Sequence, residues 1–255
     1  MIYDMQRANL LKRLSAWVLD GIMLVTVITG FIAGLSYVVD VDTYSNNLDA
    51  IYVRYEETYG IDFDKTEEDF AKMSEEELAV YEKAAEELSK DEEAQKAYEA
   101  IMSMTLLIIS LGVLGAFVVL EFLIPLWLKN GQTLGKRVFG IALMRQDGIK
   151  VTPFMVFARA ILGKYTVETM IPIMFLVAAF FGLMGLEALI LCAVCLLAQV
   201  IVLLATRNKT GIHDLMACTV AVDLSSQMIF DTVEEMEAYH DELYAEVRQE
   251  ASDEE

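Results

Sequence analysis

The feature that most constrains the fold is an apolar run near the start of the chain, Leu14 to Val39, whose 26 residues include a single charge, Asp20. A helix needs about 20 predominantly apolar residues to cross a bilayer, and apolar helices buried in soluble proteins are usually shorter. Apolar residues make up 56% of the whole chain even though two acidic segments dilute the average. The sequence therefore predicts an integral membrane protein.

Two further apolar regions predict three more spans. Residues 101–128 form one run of spanning length, whereas residues 169–206 are too long for one span and suit two. The stretch FGLMGLE at 181–187 supplies the glycine pair expected at a tight turn between them. The predicted fold class is an all-α membrane protein, a four-transmembrane-helix bundle with an extracellular acidic helical insertion and a small cytoplasmic β-hairpin.

The acidic insertion covers residues 40–100 and holds 20 acidic and 6 basic residues, so it must lie in water. Ser74 precedes Glu77 by three residues, as in a capping box, and no Pro or Gly follows before the second apolar run. The sequence predicts one helix from this cap straight into the second span. The net charge of −20 makes nucleic-acid binding an unsuitable function.

The orientation follows from the basic residues that flank the spans, because basic loops stay in the cytoplasm. They all fall on one predicted side: Arg7, Lys12, Arg13, Lys129, Lys136, Arg137, Arg145, Lys150, Arg159, Lys164, Arg207 and Lys209. Both termini are therefore expected to be cytoplasmic, in a multi-pass protein of a bacterial plasma membrane. The expected segments are 1–39 (first span), 40–100 (acidic insertion), 101–128 (second span), 129–168 (basic hairpin and interfacial amphipathic helix), 169–206 (third and fourth spans), 207–224 (cytoplasmic GIHD and TVAV segment) and 225–255 (acidic tail).

Three polar residues of three different spans lie at one predicted depth. Asp20 is ~9 Å inside the cytoplasmic end of the first span, and Glu121 and Gln199 are each ~10 Å inside their own spans. Such a layer predicts either an ion or proton site or a structural hydrogen-bond network. Arg13, two turns before Asp20 on the same helix face, is the nearest basic candidate for the layer.

The turn pair Asp147-Gly148 lies between two short apolar runs and predicts the hairpin, to which CTVAV at 218–222 could add a strand. His213 and Asp214 are adjacent in GIHD, and no nucleophile motif accompanies them. Asp214 is expected to cap a helix or to pair with Arg207 or Lys209. The sequence thus predicts no enzyme, no metal site and no cofactor.

Four stretches together resemble the RDD family of bacterial membrane proteins, which is named for one arginine and two aspartates. They are Arg13 at the start of the first span, Asp20 within it, GQTLGKRVFGIALMRQDGIKV after the second span, and RNKTGIHDLMACTVAV at 207–222. The resemblance implies that Arg13, Asp20, Arg207, His213 and Asp214 form the family motif. It also implies a transporter of an unknown ligand, since cation/proton antiport is suggested for some members.

Two classes of function follow from these patterns. One is a small cation/proton transporter or antiporter that uses Asp20, Glu121, Gln199 and Arg13. The alternative is a non-catalytic scaffold or accessory subunit that binds a protein partner through the acidic insertion or the tail. The expected partners are the lipid bilayer, a second copy in a homo-oligomer, and such a protein partner. In the tail, Val233, Met236, Tyr239, Leu243 and Val247 share one helical face, which predicts docking on a partner or on the protein itself.

Overall fold

The computed structural model describes residues 6–128, 130–206 and 209–253. The chain is mostly helical and divides into two units. The first contains the described residues of Met1–Ile28 and Leu114–Glu255, and the second is Thr29–Val113.

From the N-terminus, the first five helices are α1 (Leu10–Val39), α2 (Val41–Tyr59), α3 (Glu67–Phe70), α4 (Glu75–Lys90) and α5 (Glu92–Phe117). Parts of α1 and α5 belong to each unit, whereas α2 to α4 belong to the second. A π-helical segment, π1 (Val118–Leu123), follows, and then come α6 (Ile124–Trp127), α7 (Leu134–Val138), strand β1 (Ile141–Arg145), α8 (Pro153–Phe157) and a second π-helical segment, π2 (Ala158–Met170). The chain continues with α9 (Ile171–Phe180), α10 (Leu186–Ala205), α11 (Ile212–Met216), strand β2 (Thr219–Asp223) and α12 (Val233–Asp253).

Four helical runs are long and apolar enough to cross a membrane: Leu10–Val39, Glu92–Trp127, Pro153–Phe180 and Leu186–Ala205. The predicted number and approximate position of the candidate spans are therefore confirmed by length and composition. The turn between the last two also lies where the glycines predict it, and Gly182 adopts a left-handed backbone with φ of 66°.

The third candidate span begins sixteen residues earlier than the sequence predicts, because the expected interfacial helix before residue 169 is part of it. Thr152 caps the helix start, Pro153 occupies its first turn, and α8, π2 and α9 then follow without a break. Arg159, Lys164 and Glu168 lie inside this run. Charged residues usually mark the end of a span in a sequence-based prediction. This helix can include these three because each has a charged or ionisable partner on another element.

The acidic segment forms the predicted capped helix but not one continuous helix. The Ser74 backbone N–H donates to Glu77 (2.8 Å), and the Glu77 N–H donates to Ser74 Oγ (3.3 Å), which confirms the capping box. Asp91 then adopts an extended backbone, ends α4 and accepts the Glu93 N–H at 2.8 Å. The prediction of one helix from residue 74 is therefore wrong at Asp91, whereas α5 does continue into the second span.

Within the second unit, α2 packs against α4 through aromatic rings and ion pairs. Arg54 pairs with Asp91 (3.2 Å) and Glu93 (3.0 Å), and the Tyr55 hydroxyl donates to the same Asp91 carboxylate. Phe63 contacts Tyr81 edge to face. These contacts hold the acidic helices together despite their excess negative charge.

The two-stranded sheet pairs β1 with β2 in an antiparallel register that sets Leu143 opposite Ala221. The predicted Asp147-Gly148 turn forms, but its return strand makes only a single bridge, between Met144 and Lys150. The Lys150 N–H donates to the Phe230 carbonyl instead, and Thr152 then starts α8. The predicted local hairpin is thus corrected to a sheet between distant segments.

Hydrogen bonds from the N-terminal segment hold α1 against this sheet. The Ala8 N–H donates to the Ala221 carbonyl, and the Lys12 ammonium donates to Asp223 at 2.7 Å. Hydrogen bonds from Lys12 and Ser225 lower the pKa of Asp223 to about 2. Buried Ala16, Ile141 and Leu143 form the apolar core beneath these contacts.

The apolar face of the tail helix packs partly on the protein itself, which is one of its two predicted roles. The Tyr239 ring lies 5.5 Å from that of Phe230, and Met236 lies beside Gly148 in the turn after β1. An ion pair between Lys150 and Asp231 (2.6 Å) joins the same two regions.

Replacing Ser74 by Ala should destabilise the first turn of α4 by about 1 kcal/mol, because the N–H of Glu77 loses its acceptor. Hydrogen exchange of the α4 amides in detergent measures this as faster exchange. Ser74→Asp keeps an acceptor at the cap and should exchange like the parent protein. Equal exchange in the Ala and Asp variants would contradict the capping role.

Candidate functional site

The carboxylate of Asp20 binds the turn that precedes α7. Thr133 Oγ1 donates to one carboxylate oxygen at 2.5 Å, and the Gly135 backbone N–H donates to the other at 2.7 Å. Thr133 Oγ1 also accepts the Lys136 N–H, so that it caps α7. Asp20 is therefore tolerated in the first span because two hydrogen bonds from another segment satisfy it.

Gly135 allows this contact because no side chain fits in its place. A Cβ atom there would lie 2.4 Å from the Ala16 carbonyl oxygen and 2.8 Å from Cγ of Asp20. Gln132 ties the turn to the sheet by donating from Nε2 to the Ile141 carbonyl at 2.7 Å. The sequence GQTLGK at 131–136 is therefore the binding partner of the Asp20 carboxylate.

The second π-helical segment brings three charged residues to one face of the third span. Arg159 and Glu168 are nine residues apart, which is two and a half turns of an α-helix, so ordinary α-helical geometry would place them on opposite faces. The wider turns of i→i+5 bonding make nine residues about two turns. The Ile171 N–H bonds to the Thr166 carbonyl in this manner at the end of the segment.

These charged side chains form a chain of ion pairs across the first unit. Lys164 Nζ donates to Glu121 Oε1 at 2.5 Å, and Arg159 Nε donates to Asp214 Oδ1 at 2.7 Å. Arg159 Nη1 also lies 4.0 Å from Glu121 Oε2, so that Arg159 joins the two pairs. Glu121 itself lies on π1, so both π-helical segments contribute to the cluster.

His213 extends the chain from Asp214 to Glu168. Its Nδ1 lies 2.7 Å from Glu168 Oε2, and its Nε2 lies 3.4 Å from Asp214 Oδ2. Burial alone would raise the pKa of Asp214, but Arg159 and His213 outweigh it and hold that pKa well below its ordinary value. Gly163 permits the close approach of π2 to α11, because a Cβ there would lie 2.6 Å from Cα of His213.

Lys136 is buried between the Asp20 turn and the ion-pair chain. Its ammonium donates to Thr133 Oγ1 at 3.3 Å, and within the described part of the chain no carboxylate oxygen lies within 4.0 Å of it. Burial, together with repulsion from Lys164 and Arg159, lowers the pKa of Lys136 to about 7. Attraction by Glu121 and Asp20 opposes this shift only in part.

The predicted polar layer is divided in the structure. Asp20 and Glu121 line the same small cavity of about 10 Å³, but each carboxylate binds its own donors. Gln199 donates to the Glu168 backbone carbonyl at 3.0 Å, and Arg13 is half-buried on the wall of a larger pocket.

The GIHD segment also differs from expectation. Asp214 does not pair with Lys209, whose ammonium donates to the Leu204 carbonyl, because the Arg159 guanidinium occupies the carboxylate. Arg207, the other predicted partner and a member of the expected motif, lies outside the described residues. His213 and Asp214 do come together, but as links in the ion-pair chain.

Six residues that complete the site are absent from the candidates that the sequence pattern indicates: Thr133, Gly135, Lys136, Arg159, Lys164 and Glu168. The first three belong to a glycine-containing segment directly after a span. The other three repeat at intervals of five and four in a helix that is otherwise apolar. Three charged residues within an apolar run of spanning length are a pattern that indicates a functional or paired site, and this pattern would have indicated Arg159, Lys164 and Glu168.

A pocket of about 480 Å³ lies over this cluster in the first unit. Its polar lining includes Arg13, Asp20, Lys136 and Glu168, and its apolar walls come from α1 and α10. Ligand sites commonly have volumes of roughly 300–1,000 Å³, with mostly apolar walls and a few polar groups that fix orientation. The arrangement can therefore bind an amphipathic molecule beside ionisable groups.

Replacing Gly135 by Ala should lower the stability in detergent by about 1–3 kcal/mol, because the added methyl group overlaps the Ala16 carbonyl. Thermal unfolding measures this change. Gly21→Ala is the matched control, since a Cβ there meets open space in α1. Equal melting temperatures for the two variants would contradict the close approach.

Lys164→Met should destabilise the protein by about 3–5 kcal/mol, because it removes the ammonium that is hydrogen-bonded to the buried Glu121 carboxylate. Adding Glu121→Gln should recover much of that loss, since the amide carries no charge. The same thermal unfolding assay compares the single and double variants. Additive losses would show that the two side chains are not coupled.

The model of the RDD family matches residues 7–218, a range that includes Arg13, Asp20, Asp214 and the whole ion-pair chain. No curated protein matches the chain, and no solved structure matches it. Because the family match covers most of the chain, and because four helices are suited to cross a bilayer, this protein is a multi-pass membrane protein that belongs to the RDD family.

Proposed function

We propose that the protein is a proton-coupled membrane transporter whose ligand enters the 480 Å³ pocket and whose proton is exchanged at Lys136. The observation that carries this proposal is the position of Lys136. It lines the pocket with 9% of its surface exposed, and among the described residues its side chain makes a hydrogen bond to a hydroxyl group and no ion pair. A buried ammonium without an ion pair loses its proton more easily than an exposed one.

Charged groups face Lys136 from every element around it. Asp20 comes from α1, Glu121 from π1, and Arg159 and Lys164 from π2, while Thr133 belongs to its own turn. With a pKa of about 7, Lys136 is mostly charged below that pH and mostly neutral above it. A change of one pH unit near neutrality therefore changes the charge of the pocket.

Ligand binding and protonation are coupled because both occur at Lys136. A ligand that lies beside Lys136 interacts differently with an ammonium and with a neutral amine, so its binding shifts the protonation of that residue. By the same linkage, protonation changes the affinity for the ligand. This reciprocity is the elementary requirement of coupled transport.

The geometry favours a proton over a metal cation as the coupled ion. Thr133 and Gly135 donate to the two Asp20 oxygens and Lys164 donates to Glu121 Oε1, so that of these four oxygens only Glu121 Oε2 accepts no hydrogen bond within the described residues. A metal ion between them would also be repelled by Lys136. Of the two sites expected at the polar layer, we therefore propose the proton site and not the cation site.

The proposal includes the orientation that the basic residues predict. The ion-pair chain then lies in the cytoplasmic half of a plasma membrane, both termini are cytoplasmic, and the acidic helices α2 to α4 are outside. The proposed function is not enzymatic. A homo-oligomer remains part of the proposal, because four spans make a small bundle for a complete transport path.

Reconstitution in proteoliposomes that contain a pH-sensitive dye tests the function. An imposed pH gradient should give protein-dependent proton flux whose rate changes most steeply near pH 7, whereas gradients of Na⁺, K⁺ or Li⁺ alone should drive no such flux. Lys136→Arg should fold normally but lose this transition between about pH 6 and 8, because a guanidinium stays charged.

Lys150→Arg is the matched control, since Lys150 lies outside the pocket and pairs with Asp231. Its pH profile should equal that of the parent protein. A parent protein that moves no protons under any of these gradients would refute the transport function. An unchanged profile in Lys136→Arg would refute the assignment of the proton site.

A further inference from the structure

We propose that the pocket is a binding site for an anionic lipid, whose phosphate group lies on Arg13 and Lys136 and whose acyl chains lie along α1 and α10. This inference names the ligand class of the proposed function and rests on it for the transport step. The lipid site itself follows from three features of the pocket: its hydrogen-bond donors, its walls and its size.

The three carboxylates on the pocket lining already accept hydrogen bonds from the protein. Asp20 accepts from Thr133 and Gly135, Glu168 accepts from the His213 backbone N–H, and Asp214 accepts from Arg159 and Thr219. The carboxylates on the pocket lining are therefore all engaged by donors of the protein.

Two cations of the lining are left without such partners. Within the described residues, no carboxylate oxygen lies within 4.0 Å of the Arg13 guanidinium or the Lys136 ammonium. Arg13 offers a planar set of N–H donors, and Lys136 has donors beyond the one that it gives to Thr133. Phosphate oxygens match this pair, because a guanidinium binds phosphate in a bidentate manner and an ammonium adds a point charge.

The walls of the pocket show from which side a ligand would enter. Lys136 is only 9% exposed at the floor, whereas Trp17 on α1 is 68% exposed and Leu196 on α10 is 50% exposed. Both helices are candidate spans, so these apolar side chains face hydrocarbon in a bilayer. The pocket is therefore open toward lipid and closed by charged groups at its base.

The size and the walls together favour a lipid over free phosphate. A phosphate ion would occupy a small part of 480 Å³ and would leave the apolar walls uncovered. A lipid fills both parts, since its headgroup reaches the floor and its acyl chains cover Leu10, Leu14 and Val200.

Tryptophan fluorescence tests the site directly, because the chain has two tryptophans and only Trp17 belongs to the pocket lining. In a Trp127→Phe background, dibrominated phosphatidylglycerol is titrated into the detergent-solubilised protein. Contact with bromine quenches Trp17. Dibrominated phosphatidylcholine of the same chain length tests the headgroup, and inorganic phosphate at millimolar concentration tests the alternative source of the anion.

We expect saturable quenching by phosphatidylglycerol and at least tenfold weaker quenching by phosphatidylcholine. Inorganic phosphate should neither quench Trp17 nor compete. Arg13→Gln and Lys136→Gln should each weaken the binding of phosphatidylglycerol about tenfold, since each removes a charged donor. Lys150→Gln is the control and should bind like the Trp127→Phe parent, and thermal unfolding checks that all variants fold.

Equal quenching by the two lipids, or normal binding in both pocket variants, would overturn the lipid site. Loss of quenching in the presence of inorganic phosphate would assign the site to the free ion instead. Non-saturable quenching, as expected for nonspecific partition of the lipid around the helices, or no quenching at all, as expected if a second copy of the chain fills the pocket, would also overturn it.

Lys136→Arg separates this inference from the proposed function. It keeps the positive charge and should still bind phosphatidylglycerol, while the flux assay should show the loss of pH dependence. Saturable lipid binding in a protein that moves no protons would retain the lipid site and refute transport. Proton flux without selective lipid binding would do the reverse.

Discussion

The contact between Asp20 and the turn at 131–136 is the interaction on which the rest of the site depends. It joins the first span to the segment after the second span through two hydrogen bonds to one carboxylate. The same turn starts α7 and thereby places Lys136 beside Glu121, Arg159 and Lys164. Without this contact, the Asp20 carboxylate would lie without donors on an apolar helix, and Lys136 would lose the turn that positions it.

The ion-pair chain explains how a span-length helix can contain charged residues. Lys164, Arg159 and Glu168 each face an ionisable group from π1 or α11. Breaking one pair leaves its partner charge buried, which costs more free energy than the pair contributes. The segments that carry these partners, including the one at Asp214, are therefore held against the third span as a set.

Much of the architecture could be predicted from the sequence, because apolar length alone indicates spans. The capping box at Ser74 and the turn at Gly182 were also within reach, since each depends on neighbouring residues. The partners of Asp20 and Asp214 were not, because they are 113 and 55 residues away in the chain. The start of the third span was missed for a related reason: Arg159 and Lys164 look exposed until their distant partners are known.

The π-helical geometry of residues 158–170 also bears on how this chain can change in length. Most membrane spans absorb the loss of a residue by tilting or by small shifts of the bilayer. Here the removal of one residue would return the segment toward an α-helix and rotate everything beyond it by about a quarter of a turn or more. Glu168 would then leave His213 although the apolar length of the helix would hardly differ. Spacing, rather than hydrophobicity, is thus the property of this span that tolerates least variation.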